Sequence, residues 1–302
     1  MAVHGARALG TGVLAALTAV GALTACSSAA NADGRLQVVT STDAYASIVR
    51  AVAGHRVDVT ALITSTAQDP HSFEASGRDE LAVSRAGVLI ENGGGYDDFM
   101  ARLRQASGSS AVTLNVVALS GHHAPAGGEL NEHVWYDFAA VTALVHRLVA
   151  VLGAKRPRDV GAFRSGARRF LARLRGLEQT EASLRRRFAG TPVAITEPVP
   201  LYLLDACGLV NRTPEQFSVG VESGNGVSAS VLQRTLALFD RHAVRMLVYN
   251  AQTTGAETTR ARAAAAANAI PAVPVTETLP PGTGYLSWMQ ANLTAVGKAL
   301  AR

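Results

Sequence analysis

Four short stretches of the chain carry side chains suited to holding a metal ion. They are Gln68-Asp69-Pro70-His71-Ser72-Phe73-Glu74, Asn131-Glu132-His133-Val134-Trp135-Tyr136-Asp137, Thr196-Glu197-Pro198 and Val275-Thr276-Glu277-Thr278. Imidazole nitrogens and carboxylate oxygens are the donors that first-row divalent ions accept. Singly, each stretch has a plain alternative: a His beside Pro in a loop serves as a surface or capping residue, a lone Glu is solvated or caps a helix, and Asp137 can cap its own helix. The four together point to metal chemistry.

The elements needed to position them follow from the hydrophobic pattern. Leu36 to Thr40, Val57 to Ile63, Val88 to Glu91 and Ala111 to Leu119 read as strands, and Asp43 to Val52, Arg78 to Arg85 and Ala139 to Leu152 as helices. A second set gives strands at Pro192 to Thr196, Arg245 to Tyr249 and Ala272 to Val275, with helices at Leu201 to Cys207, Ser230 to Arg241, Ala256 to Ala267 and from Tyr285 onward. Strands alternating with helices predict parallel sheets covered by helices. Three of the four stretches follow a strand, where open α/β sheets bind ligands.

Between the two sets, residues 158–188 contain no proline and space Phe163, Phe170, Leu174, Leu177 and Leu184 on one helical stripe. At 1.5 Å per residue such a helix extends roughly 45 Å, enough to run from one lobe to the other. The expected fold is therefore α/β, with two lobes, each a mostly parallel sheet flanked by helices, joined by one long helix. The lobes are placed at 36–157 and 189–302. Arg residues crowd Arg156 to Arg187, with Glu178 and Glu181 among them. This reads as a solvated helix face rather than a nucleic-acid surface, because the chain carries export features.

Those features lie at the N-terminus. Arg7, an apolar run from Leu9 to Leu23 and the sequence Leu23-Thr24-Ala25-Cys26 follow the order of a secretory signal over residues 1–25, the run being too short for a comfortable membrane span. Leu-Thr-Ala-Cys resembles a bacterial lipobox, which makes Cys26 the expected lipidation site and residues 26–35 a tether. Only Cys207 then remains, so no intramolecular disulfide forms, and its apolar surroundings read as packing. Roughly 275 mature residues suffice for two lobes stabilised by their own core. No second segment is expected to approach a membrane span.

With these residues in view, the chain resembles the zinc and manganese solute-binding lipoproteins of ABC transporters over nearly all of its mature length. The resemblance is carried by Asp69 to Glu74, by the Asn-x-His-Val-Trp-x-Asp pattern at Asn131 to Asp137, and by Ser41 to Val49, Glu91 to Asp97 and Tyr285 to Met289. It implies one metal ligand from each place: His71, His133, Glu197 and Glu277. A His at the third place is similar to zinc receptors, whereas Glu197 resembles the manganese and iron members. The fourth ligand is commonly Asp, so Glu277 departs from the pattern. His122 and His123 are similar to a much reduced His-rich loop, read as loop residues rather than auxiliary ligands.

Two imidazoles and two carboxylates form an N2O2 set that a divalent ion neutralises, suiting Zn2+, Mn2+ or Fe2+. The resemblance implies an exported, lipid-anchored, monomeric receptor, not an enzyme, that delivers its ion to a permease and its ATPase. With both His in the first lobe and both Glu in the second, the ion acts as a clasp, and one long connecting helix implies a small closing movement. Asp137, Asn250 and Glu222 are the candidates for orienting the imidazoles through their other ring nitrogen. A metal-dependent hydrolase and a surface adhesin are the alternatives. Neither a His-Glu-x-x-His helix nor a repeat or exposed aromatic patch supports them.

Overall fold

The computed structural model describes residues 34–302 other than Asp69, Gly127 and Thr254. The expected signal, the lipidation site Cys26 and nearly all of the tether lie outside the described residues. In the first lobe the order is β1 (Leu36–Thr42), α1 (Asp43–Ala53), β2 (Val57–Ile63), α2 (Gly77–Arg85), β3 (Val88–Glu91), α3 (Phe99–Ala106), β4 (Val112–Asn115), α4 (Val116–Ser120) and α5 (Phe138–Lys155). Then α6 (Val160–Phe188) leads to β5 (Pro192–Ile195), α7 (Leu201–Ala206), β6 (Val210–Asn211), α8 (Glu215–Glu222), α9 (Ala229–Asp240), β7 (Leu247–Asn250), α10 (Ala256–Ala267), β8 (Ala272–Val275) and α11 (Tyr285–Leu300).

Both sheets are four-stranded and have the same arrangement, β2-β1-β3-β4 and β6-β5-β7-β8. Every pairing is parallel. In each sheet the chain reverses its direction of winding beside the first strand, between β1 and β3 and between β5 and β7. The carboxyl ends at such a switch point form a crevice.

The long helix is 29 residues, about 43 Å at the standard rise. Its stripe of Phe163, Phe170, Leu174, Leu177 and Leu184 is buried against helices of both lobes. One apolar cluster runs through it, from Val38 and Tyr45 in the first lobe to Leu204, Met246 and Trp288 in the second. Gly166 is where α6 crosses α1: a Cβ there would lie 2.0 Å from the Val52 carbonyl oxygen, so no other residue permits this approach.

The structure corrects three expectations. The strand expected over Ala111 to Leu119 stops at Asn115, because the Asn115 side chain accepts a hydrogen bond from Ala118 N and starts α4. Glu181 is not on the solvated face of α6 but 7% exposed. By length and composition α5 could cross a membrane, contrary to the expectation that no second segment approaches a span. Val141, Leu144, Leu148 and Leu152 are buried among α1, α4 and α6, so α5 is a core helix.

Candidate metal centre

The two switch points face each other, and the four stretches meet between them. His71 lies in the loop after β2, and His133 precedes the turn that enters α5. Glu197 follows β5, and Glu277 follows β8. Donor atoms of His71, His133 and Glu277 all lie within 4.8 Å of one another. Glu197 joins them through Asn250, at the end of β7. The Asn250 side-chain nitrogen donates to Glu197 Oε2 at 2.7 Å and to Glu277 Oε1 at 2.7 Å, while its oxygen accepts from Gln252 N. One amide has two N–H groups, and here each holds one carboxylate. Thr253 Oγ1 adds a hydrogen bond to Glu197 Oε2, and Gln252 Oε1 fixes the loop by accepting from the backbone of Glu277 and Thr278.

His133 is fully buried. Its Nδ1 lies 2.7 Å from Asn131 Oδ1, and the Asn131 amide nitrogen donates to the Pro198 carbonyl. That second bond fixes which end of the amide faces the ring. Asn131 therefore presents an acceptor, Nδ1 must carry the proton, and Nε2 is left with its lone pair turned into the site. No hydrogen bond reaches Nε2 from the described residues. Burial, and then the charge of a protonated His71, hold the His133 pKa well below the ordinary histidine value, so the ring is neutral and competent to bind an ion at pH 7.

His71 is more accessible, its side chain 30% exposed, with Nε2 3.8 Å from Glu132 Oε1. Its ring packs edge-on against Tyr96, which in turn stacks on Trp135 and leans on His133. This aromatic wall shields the inner side of the site and leaves His71 at its mouth.

Of the three residues expected to orient the imidazoles, Asn250 holds the carboxylates instead, and the partner of His133 Nδ1 is Asn131. Asp137 does not touch His133. Its Oδ1 caps α5 through Ala139 N, and its Oδ2 lies 2.8 Å from His122 Nε2. The His122 ring stacks on Tyr202 of the second lobe, while His123 is exposed. Glu222 sits on the Nε2 side of His133, with Oε1 3.4 Å from that nitrogen. Burial first, and then the carboxylates of Glu132, Glu197, Glu277 and Glu129, push its pKa up to about 9.

Sequence reasoning missed the part played by Asn131, although the Asn-x-His spacing carried the signal: a side-chain acceptor two residues before a His reaches its Nδ1. Replacing Asn131 with alanine is expected to weaken metal binding about 10–100-fold, as for other groups that orient a ligating imidazole. Asn131→Asp, which keeps the acceptor, should recover most of it, as competition titration would read.

Hydrogen bonds also stitch the lobes together around the site. Tyr136 OH donates to Thr276 O, Tyr202 OH to Asn131 O, Tyr285 OH to Trp135 O, and Leu279 N to Asp43 Oδ1. With a continuous core behind them, these bonds permit local loop movement and oppose a wide hinge swing.

A family model described as the periplasmic component A of zinc-uptake complexes, ZnuA, matches residues 38–299. SloC of Streptococcus mutans, a metal ABC transporter substrate-binding lipoprotein, is 27% identical over 167 residues, 52% of this chain and 54% of the relative. MtsA of Streptococcus pyogenes serotype M1, an iron ABC transporter substrate-binding lipoprotein, is 26% identical over 186 residues, 57% of this chain and 59% of the relative. The alignments thus span a little over half of these curated relatives. The periplasmic zinc-binding protein TroA from Treponema pallidum has the same fold, with a TM-score of 0.74 at 19% identity, over 89% of this chain and all of that one.

Proposed function

Because the chain belongs to the ZnuA family, the periplasmic metal-binding component of zinc-uptake complexes, we propose that it is an extracytoplasmic receptor that captures a divalent transition metal for an ABC importer. It is a solute-binding receptor and not an enzyme. The ion is Zn2+ or Mn2+, with Fe2+ also suited, and the ligands are His71, His133, Glu197 and Glu277. A lipid on Cys26 holds the receptor at the outer face of the membrane, where, as a monomer, it meets a permease and its ATPase.

The observation that carries this reading is the convergence of two imidazoles from one lobe with two carboxylates from the other, the carboxylates bridged by a single Asn250 amide. Without an ion, that amide helps to hold two acidic groups side by side in a buried place. With an ion, two negative charges and two neutral nitrogens balance one divalent cation. Bidentate carboxylates allow five or six donors, which suits Mn2+ or Fe2+ as well as tetrahedral Zn2+. The oxygen-rich set supports manganese or iron transport, as the name of MtsA does for iron, whereas intrinsic affinity favours zinc over manganese.

Elemental analysis of protein purified without chelator, followed by competition titration of Mn2+ against Zn2+, tests the reading. Metal at about 1,000 times its dissociation constant stabilises the folded state by about 4 kcal/mol. At roughly 2–4 °C per kcal/mol for a chain of this size, the melting temperature should rise by about 10 °C. No rise with Mn2+, Zn2+ or Fe2+ in excess would refute it.

A further inference from the structure

Beside the proposed site stands a second set of donors, two of which the ligand assignment leaves unused. Donor atoms of His71, Glu132 and Glu222 also lie within 4.8 Å of one another. The carboxylates are at the rim, with side chains 13% and 15% exposed, whereas His133 behind them is fully buried. They border a cavity of about 280 Å³ between the lobes, whose lining also includes Glu129 and Glu215. His71 belongs to both sets, so the two triads share a corner.

A group of carboxylates at a cleft mouth often has no ligand. Here a further observation adds one: the Nε2 of His133, fully buried and with no hydrogen bond from the described residues, lies 3.4 Å from Glu222 Oε1, which is likewise buried without a hydrogen-bond partner. Among the described residues this ring nitrogen has no hydrogen-bond partner, and it stands beside the outer set.

The geometry points to an outer loading site, made by His71, Glu132 and Glu222, that takes the divalent ion from solvent and passes it to the inner ligands. This rests on the receptor reading above and adds the entry route. A hydrated ion cannot enter a buried pocket without losing water, and the loss is costly unless protein donors replace it. At the rim, two carboxylates neutralise the ion and one imidazole replaces a water while other waters stay bound. The ion then moves inward with His71 still attached. His133 Nε2 and Glu277 replace Glu222 and Glu132, and Glu197 completes the set. Apart from the proton that the Glu222 carboxyl gives up to solvent as the ion binds, no covalent bond of the protein changes. The acidic cavity also concentrates cations at the mouth, as clefts of one sign do.

The test uses Mn2+ and the intact chain. Trp135, whose ring lies 5.1 Å from that of His133, reports arrival of the ion by fluorescence in stopped flow. Glu222→Gln and Glu132→Gln, both at partly exposed positions, are expected to slow Mn2+ association about tenfold or more. An unchanged association rate would overturn the proposal. So would an effect confined to dissociation, which would make Glu222 a permanent ligand of the inner site. In a second arm, His133→Ala/Glu277→Ala disables the inner site. This variant should still bind Mn2+ weakly by electron paramagnetic resonance, and adding Glu222→Gln should abolish that signal. Retained binding in the triple variant would overturn the outer site. A wild-type chain that binds neither Mn2+ nor Zn2+ would defeat the receptor reading itself, whereas tight binding with unaltered kinetics in Glu222→Gln defeats only the loading site.

Discussion

Replacing both His71 and His133 with alanine is expected to lower metal affinity by roughly 10⁴-fold, about 5.6 kcal/mol of binding free energy. The magnitude follows from a comparison. Losing a group that merely orients a ligating imidazole costs about 10–100-fold, so losing the imidazole itself costs at least the upper figure, twice over. What remains is Glu197 and Glu277, an all-oxygen pair that Asn250 already holds. The single variants should differ in kind. His71 is partly exposed at the mouth, so its loss should affect binding with little change in the stability of the metal-free protein. His133 is fully buried, so His133→Ala also leaves a cavity and should lower the melting temperature without metal. Competition titration paired with melting of the chelated protein separates the two effects. A double variant that titrates as the wild type does would sink the proposed ligand set.

Three of the four candidate ligand loops were legible because topology sets their positions. Strand runs of β-branched residues such as Val57 to Ile63 end where the ligand stretches begin, and parallel pairing then brings those ends to one edge of each sheet. The long helix was legible from its apolar stripe. Elements without a periodic signature were not: α3 and α8 are short, and α8 carries Gly220 between two valines, where a Cβ would lie 2.7 Å from the Gly226 carbonyl oxygen. Nor does a linear pattern reveal which side of a ligand a partner occupies. Glu222 was read as an orienting group behind an imidazole, whereas Asn131 holds the far nitrogen of His133 and Glu222 faces the near one. The same limit explains Glu181. Its neighbours in sequence are mostly polar and its helix is rich in arginine, yet the turn of α6 that bears it faces the interior, near Cys207 and Tyr285.

That buried carboxyl makes stability depend on pH in a specific sense. Burial, then the charges of Glu178 and Asp137, raise the pKa of Glu181 from 4.5 to about 8, and its Oε1 has no hydrogen-bond partner among the described residues. Below pH 4.5 the group is protonated in both folded and unfolded chains and contributes no pH dependence. Between 4.5 and about 8 the folded chain holds a proton that the unfolded chain has released, so stability falls as pH rises. Above that window the whole cost is present, on the order of a few kcal/mol at about 1.36 kcal/mol per unit. Glu181→Gln removes the charge while keeping the shape. The metal-free variant should melt about 5–10 °C above the wild type near pH 8.5, and the gap should close toward pH 4.5. Glu222, raised to about 9 by burial and its acidic neighbours, contributes in the same direction to both proteins. The difference between the two melting curves therefore isolates Glu181. A gap independent of pH, or one that widens on acidification, would show that the Glu181 carboxyl is ionised in the folded receptor at neutral pH. The charge in the C-terminal third of the linking helix would then have to be balanced from the arginines of α6.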